Sequence, residues 1–179
     1  MSQRVPVHVE VNGRGYDREV EPRRTLADFL REDLGLKGTH VACEHGFCGN
    51  CNVLLDGAAI RSCLMFAVQA GGRSVETVES LAGSDGELDE LQLAFTEHHA
   101  LQCGFCTPAM LLTAKQFLRE NPGVTDARRI REAINGVICR CTGYQQIVAA
   151  IAAVAQAQQT AHSIRIETAP PVRVAQDTR

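Results

Sequence analysis

Between Val5 and Val11 the apolar residues Val5, Val7, Val9 and Val11 alternate with Pro6, His8 and Glu10, the period of a strand with one buried face. Asn12-Gly13 follows, a pair suited to a two-residue hairpin turn, so a return strand through Tyr16 and Val20 is expected. Thr25 then stands before Leu26, Phe29, Leu30 and Leu34 at helical spacing, placed to cap a helix that Gly35 would stop. Short strands are expected at 52–55, 59–66 and 74–78. Residues 38–51 show neither period and are rich in glycine, which makes them a loop.

The pattern changes after 82–87, AGSDGE, a run of small, polar and turn-forming residues. A helix is expected at about 88–101. Thr107-Pro108 supplies a cap and a first-turn proline for a second, ending near Glu120 before Asn121-Pro122-Gly123. Thr125 opens a third to about Asn135, and Thr142 with Gln145 fits a capping box for a last one running through 147–159. Ile147, Val148, Ile151 and Val154 on that helix suit a core face. The fold class is therefore α+β: a strand-rich unit over 1–82, a helical unit resembling a four-helix bundle over 83–162, and an extended tail over 163–179.

Composition narrows the function. The 179 residues carry 18 Lys and Arg against 21 Asp and Glu, a net charge of -3, which argues against a nucleic-acid binder driven by phosphate neutralisation. The Arg128, Arg129 and Arg131 run reads as a solvated or subunit-contact face. No apolar run reaches the roughly 20 residues of a membrane span. The first residues lack the apolar stretch of a secretory signal, so a reducing, cytoplasmic location is the expectation. There, eight cysteines point to metal ligation or catalysis before disulfides.

Cys43, Cys48, Cys51 and Cys63 are separated by four, two and eleven residues. A C-x4-C-x2-C loop with a more distant fourth cysteine is the plant-type ferredoxin arrangement for a 2Fe-2S cluster. Gly46 and Gly49 would let such a loop fold back, and Cys63 would clamp it to the sheet. Structural zinc is the alternative, but its usual signature is two short knuckles, and Cys51 to Cys63 provides no second one. A Rieske centre would need histidine three positions after Cys63, where Phe66 stands. His40, Glu44 and His45 are accordingly read as loop residues.

Cys103 and Cys106 form a C-x2-C pair between the first two helices, and Cys139 and Cys141 a C-x-C pair before the last. If the helix junctions meet, four thiolates could hold a second 2Fe-2S cluster with helix N-terminal amides balancing its charge. For this set alone zinc is an open rival. No cysteine is then left as a nucleophile, and the glycine-rich loop lacks the Lys-Ser/Thr of a phosphate site.

The segments CEHGFCGNC with Cys63, QCGFCTPAM at Gln102–Met110 and CRCTGY at Cys139–Tyr144 resemble the small iron-sulfur subunit of molybdenum hydroxylases, the xanthine dehydrogenase and carbon monoxide dehydrogenase family, over about residues 4–160. The resemblance implies a β-grasp ferredoxin-like domain and a helical domain, each with one 2Fe-2S cluster. It implies that the chain carries electrons without binding substrate, beside a large molybdopterin-binding subunit and a medium FAD-binding one, in a dimer of heterotrimers. By the same resemblance the Cys103, Cys106, Cys139 and Cys141 cluster lies near the molybdopterin, the other faces the flavin, and Gln102 and Cys141 approach the pterin. Ala109 departs from the family's usual glycine; in the first turn of a helix the backbone tolerates it, although packing against the large subunit could change. Two other functions compete: a free-standing two-cluster carrier, and a zinc module for assembly.

Overall fold

The computed structural model describes residues 4–83 and 85–168, with side chains as far as residue 161. Strands β1 (Val5–Val11) and β2 (Arg14–Val20) pair as the expected hairpin, Val5 opposite Val20 and Val11 opposite Arg14. Asn12 and Gly13 both take positive φ, 53° and 74°, the backbone that matches a tight turn to twisted strands. Val7, Val9 and Val11 are buried, whereas β2 buries only Val20.

The Thr25 hydroxyl accepts from the Asp28 amide at 3.1 Å and starts α1 (Leu26–Asp28), as expected. Its continuation differs: Phe29–Asp33 is a π-helical turn in which the Leu34 amide reaches back to the Phe29 carbonyl. The wider turn leaves Leu34 only partly buried, while Leu26, Phe29 and Leu30 pack fully under the sheet.

Strands β3 (Asn52–Leu55), β4 (Ala58–Arg61) and β5 (Ser74–Glu76) complete a sheet of order β2-β1-β5-β3-β4, with β5 parallel to β1 and antiparallel to β3. The strand expected over 59–66 ends at Arg61. Ser62 turns the chain, its amide and hydroxyl both donating to the Cys51 carbonyl, at 3.3 and 2.7 Å. The strand expected over 74–78 ends at Glu76, because the Thr77 amide donates to Asn12 Oδ1 and not to a ladder.

Helix α2 (Glu90–Glu97) is shorter than expected. Asp89 and Gln92 cap it reciprocally, and His99 leaves it at φ 51°. Helix α3 (Thr107–Glu120) has its expected span and first-turn Pro108, but Cys106 is the cap and Thr107 is already helical. Helix α4 (Ala127–Ile134) is capped by Asp126, one residue after Thr125, through its bond from the Arg129 amide. Helix α5 (Gln145–Thr168) forms no Thr142 capping box, because that hydroxyl is engaged with the Tyr144 amide and Cys139 Sγ. The tail residues 169–179 lie outside the described residues.

Strand β3 joins two buried clusters by its two-residue period. Val53 and Leu55 face the cluster of Val9, Leu26, Phe29 and Val75; Leu54 faces that of Phe95, Met110, Ile130 and Ile134. Ile147, Val148, Ile151 and Val154 complete the second cluster, as their spacing predicts. Arg128 and Arg131 are exposed. No helix among the described residues is long and apolar enough to cross a membrane.

Candidate metal centres

The loop between the π-helical turn and β3 turns on two glycines. Gly49 has φ 72°, and a Cβ there would stand 2.1 Å from the Gly136 carbonyl oxygen; at Gly46, φ 77°, it would stand 2.2 Å from Leu64 Cδ1. Positive φ favours glycine at both positions, and at Gly49 the close approach of the Gly136 backbone requires it as well, whereas the exposed Leu64 side chain could move away from Gly46. The resulting fold aims the Cys48 amide at Cys43 Sγ, 3.4 Å away. The Ser62 turn delivers Cys63 beside Cys51, so the first four thiols gather as Cys43 with Cys48 and Cys51 with Cys63.

The local fields are unequal. Amides of Cys48 first, then His45 and Phe47, stabilise the Cys43 thiolate and lower its pKa to about 6. Burial, followed by the bond with Cys51, pushes Cys63 up to about 11.

The second set also gathers in pairs. Cys103 and Cys106 flank a turn through Gly104 (φ 79°) at the start of α3; Cys139 and Cys141 lie in the turn between α4 and α5. The Cys141 thiol donates to Cys103 Sγ at 3.4 Å. That bond raises Cys141, while the Phe105 amide first and Cys141 second lower Cys103. Cys106 is pushed up to about 12 by burial and then by Cys139. Burial opposes ionisation of Cys139 too, yet hydrogen bonds from the Thr142 hydroxyl and amide, the Cys141 amide and the Cys106 thiol together outweigh it and lower that thiol. The Tyr144 hydroxyl closes the turn, accepting from the Cys139 amide at 2.8 Å and donating to the Val137 carbonyl at 3.1 Å.

All eight cysteines are free thiols. The 3.4 Å between Cys103 and Cys141 sulfurs is far longer than a disulfide. It approaches the roughly 3.7 Å between two sulfurs on a tetrahedral metal with bonds of about 2.3 Å. Among the described residues no group of three or more His, Cys, Asp or Glu side chains is gathered for a single ion. The two-by-two grouping fits a dinuclear 2Fe-2S cluster, in which four thiolates serve two irons.

The other residues singled out from sequence take supporting places. His40 stacks on Phe105 with centroids 4.8 Å apart and bonds its carbonyl at 2.7 Å; His45 bonds the Cys43 carbonyl, and Glu44 is exposed. Gln102, next to Cys103 in the chain, is exposed, as is Cys141 of the second set itself. Ala109 is fully buried among residues of the chain's own core, so it presents nothing to a partner.

Sequence reasoning missed the connection between the two sets. The Ile138 amide, one residue before Cys139, donates to the Cys48 carbonyl at 2.8 Å. Arg61 donates to Gly46 O at 3.2 Å, Asn52 Oδ1 at 2.7 Å and Gly136 O at 2.7 Å. Its only sequence signal is a position two residues before Cys63. Large apolar side chains stay exposed near both sets: Phe47 (71%) and Leu64 (62%) at the first, Phe105 at the second.

Two family models match the chain, a 2Fe-2S iron-sulfur cluster binding domain over residues 9–79 and a 2Fe-2S binding domain over residues 77–152. The chain is 59% identical over 142 residues to the 6-hydroxypseudooxynicotine dehydrogenase complex subunit beta of Paenarthrobacter nicotinovorans, covering 79% of this chain and 88% of that one. It is 51% identical over 159 residues to the caffeine dehydrogenase subunit gamma of Pseudomonas sp. strain CBB1, covering 88% and 95%. A chain of the quinoline 2-oxidoreductase crystal structure from Pseudomonas putida 86 superposes with TM-score 0.84 at 50% identity, covering 89% and 98%.

Proposed function

Because this chain belongs to the small iron-sulfur subunits of the molybdenum hydroxylases, we propose that it relays electrons from a molybdopterin centre to FAD or another acceptor, both held by partner subunits. Cys43, Cys48, Cys51 and Cys63 would hold one 2Fe-2S cluster, and Cys103, Cys106, Cys139 and Cys141 the other. Each cluster supplies a one-electron carrier. The observation that carries this reading is the backbone bond from Ile138 to Cys48: a ligand of one set and the neighbour of a ligand of the other are one hydrogen bond apart.

The chain divides in this reading into a β-grasp unit over 1–82 and a bundle-like helical unit over 83–162, supported by the two buried clusters that meet at β3. Gln102 and Cys141 are exposed together and would meet the pterin. Phe47 and Leu64 would be covered by the acceptor subunit, and Phe105 by the large one. The assembly is taken to be a dimer of heterotrimers in the cytoplasm, where eight thiols stay reduced until they ligate. The caffeine and quinoline in the relatives' names point to a nitrogen heterocycle as the substrate class of the complex.

Affinity purification of the tagged chain from its native host, followed by mass spectrometry and metal analysis, tests the assignment. A molybdenum-containing large subunit in constant ratio is the expected result. A chain that carries iron and never retains such a subunit would instead be a free-standing carrier.

A further inference from the structure

We propose that Thr142 is a positioning residue that sets the reduction potential of the second cluster through its hydroxyl bond to Cys139. The inference rests on the reading of Cys103, Cys106, Cys139 and Cys141 as 2Fe-2S ligands. Thr142 Oγ1 lies 3.1 Å from Cys139 Sγ. In a free thiol either atom could carry the shared proton, but a thiolate bound to iron has none, so Thr142 must donate.

The rest of the turn prepares the hydroxyl for that role. The Tyr144 amide donates to the same Thr142 oxygen at 3.1 Å, occupying an acceptor lone pair and leaving the hydroxyl proton for the sulfur. Tyr144 in turn fixes the backbone of Cys139 by accepting from its amide and donating to the Val137 carbonyl. Thr142 is therefore held from one side by Tyr144 and faces Cys139 on the other. Cys139 pairs with the buried Cys106, on the sheltered side of the set, whereas Cys103 and Cys141 are exposed. A hydrogen bond counts for more where water is excluded.

A donor to a ligating sulfur stabilises the reduced, more negative cluster and raises its potential. The first set is built differently: the Cys43 sulfur is met by backbone amides, that of Cys48 first and then those of His45 and Phe47, which no side-chain substitution removes. The first cluster is thus an internal control.

The test is an EPR-monitored redox titration of the purified holoprotein as wild type, Thr142→Val and Thr142→Ser, with the second-cluster signal identified as the one that survives Cys43→Ser. Thr142→Val should shift the second midpoint to lower potential and leave the first unchanged, and Thr142→Ser should restore it. An unchanged second midpoint in Thr142→Val, or an equal shift of both clusters, overturns the proposal. So does loss of the second cluster from Thr142→Val and Thr142→Ala alike, with iron content halved, since the hydroxyl would then be a structural clamp. Wild-type protein without iron would overturn the cluster assignment itself before any variant is compared.

Discussion

The Arg61 guanidinium donates to the Gly136 carbonyl at 2.7 Å, tying the strand that leads to Cys63 to the segment that leads to Cys139. Its other donors reach Gly46 and Asn52. Arg61→Met should therefore loosen both cysteine loops together, at a cost of about 2–4 kcal/mol for three orphaned acceptors. Arg61→Lys keeps the charge but lacks the planar fork, and should recover only part of the loss. Chemical denaturation followed by visible absorbance measures both; equal midpoints for wild type and Arg61→Met would show that the bridge carries no stability.

Gly49→Ala places a methyl group against the Gly136 carbonyl at a backbone angle that alanine resists. Strain alone costs about 1–3 kcal/mol, and the contact at 2.1 Å adds to it. The expected product is a chain depleted in the first cluster, read as selective loss of one EPR signal. Full retention of both signals would mean that the loop relaxes without harm.

Ligand variants test the division of the eight cysteines. Cys43→Ser should abolish one 2Fe-2S signal and Cys106→Ser the other, each lowering iron from about four to about two atoms per chain. Simultaneous loss of both signals from either variant would contradict two separate sites.

Tyr144→Phe removes one hydroxyl that serves two backbone groups, the Cys139 amide and the Val137 carbonyl. Leaving them unpaired should cost about 1–3 kcal/mol and make the second cluster the faster to be lost to a chelator. Identical chelation rates in wild type and variant would contradict this.

Local periodicity made the first hairpin, α3 and the core face of α5 legible in the sequence. The alternation of Val7, Val9 and Val11 and the Asn12-Gly13 turn need no distant partner to specify them. Element ends were less readable wherever a distant group intervened. Ser62 turns because the Cys51 carbonyl is available, and Thr77 leaves its strand for Asn12. Thr142 bonds Cys139 and Tyr144 instead of capping α5, so its local capping pattern was misleading. The cysteine spacing marked both sets, but how the thiols pair depends on which turns meet in space. Arg61 was invisible for the same reason: its acceptors at 46, 52 and 136 come from three segments.

The presence of two 2Fe-2S clusters in this one chain as electron carriers is tested most directly by EPR of the affinity-purified protein after dithionite reduction. Two distinguishable signals are expected, each integrating to about one spin per chain and each disappearing on reoxidation. A protein that is EPR-silent after reduction, colourless and loaded with zinc would contradict it.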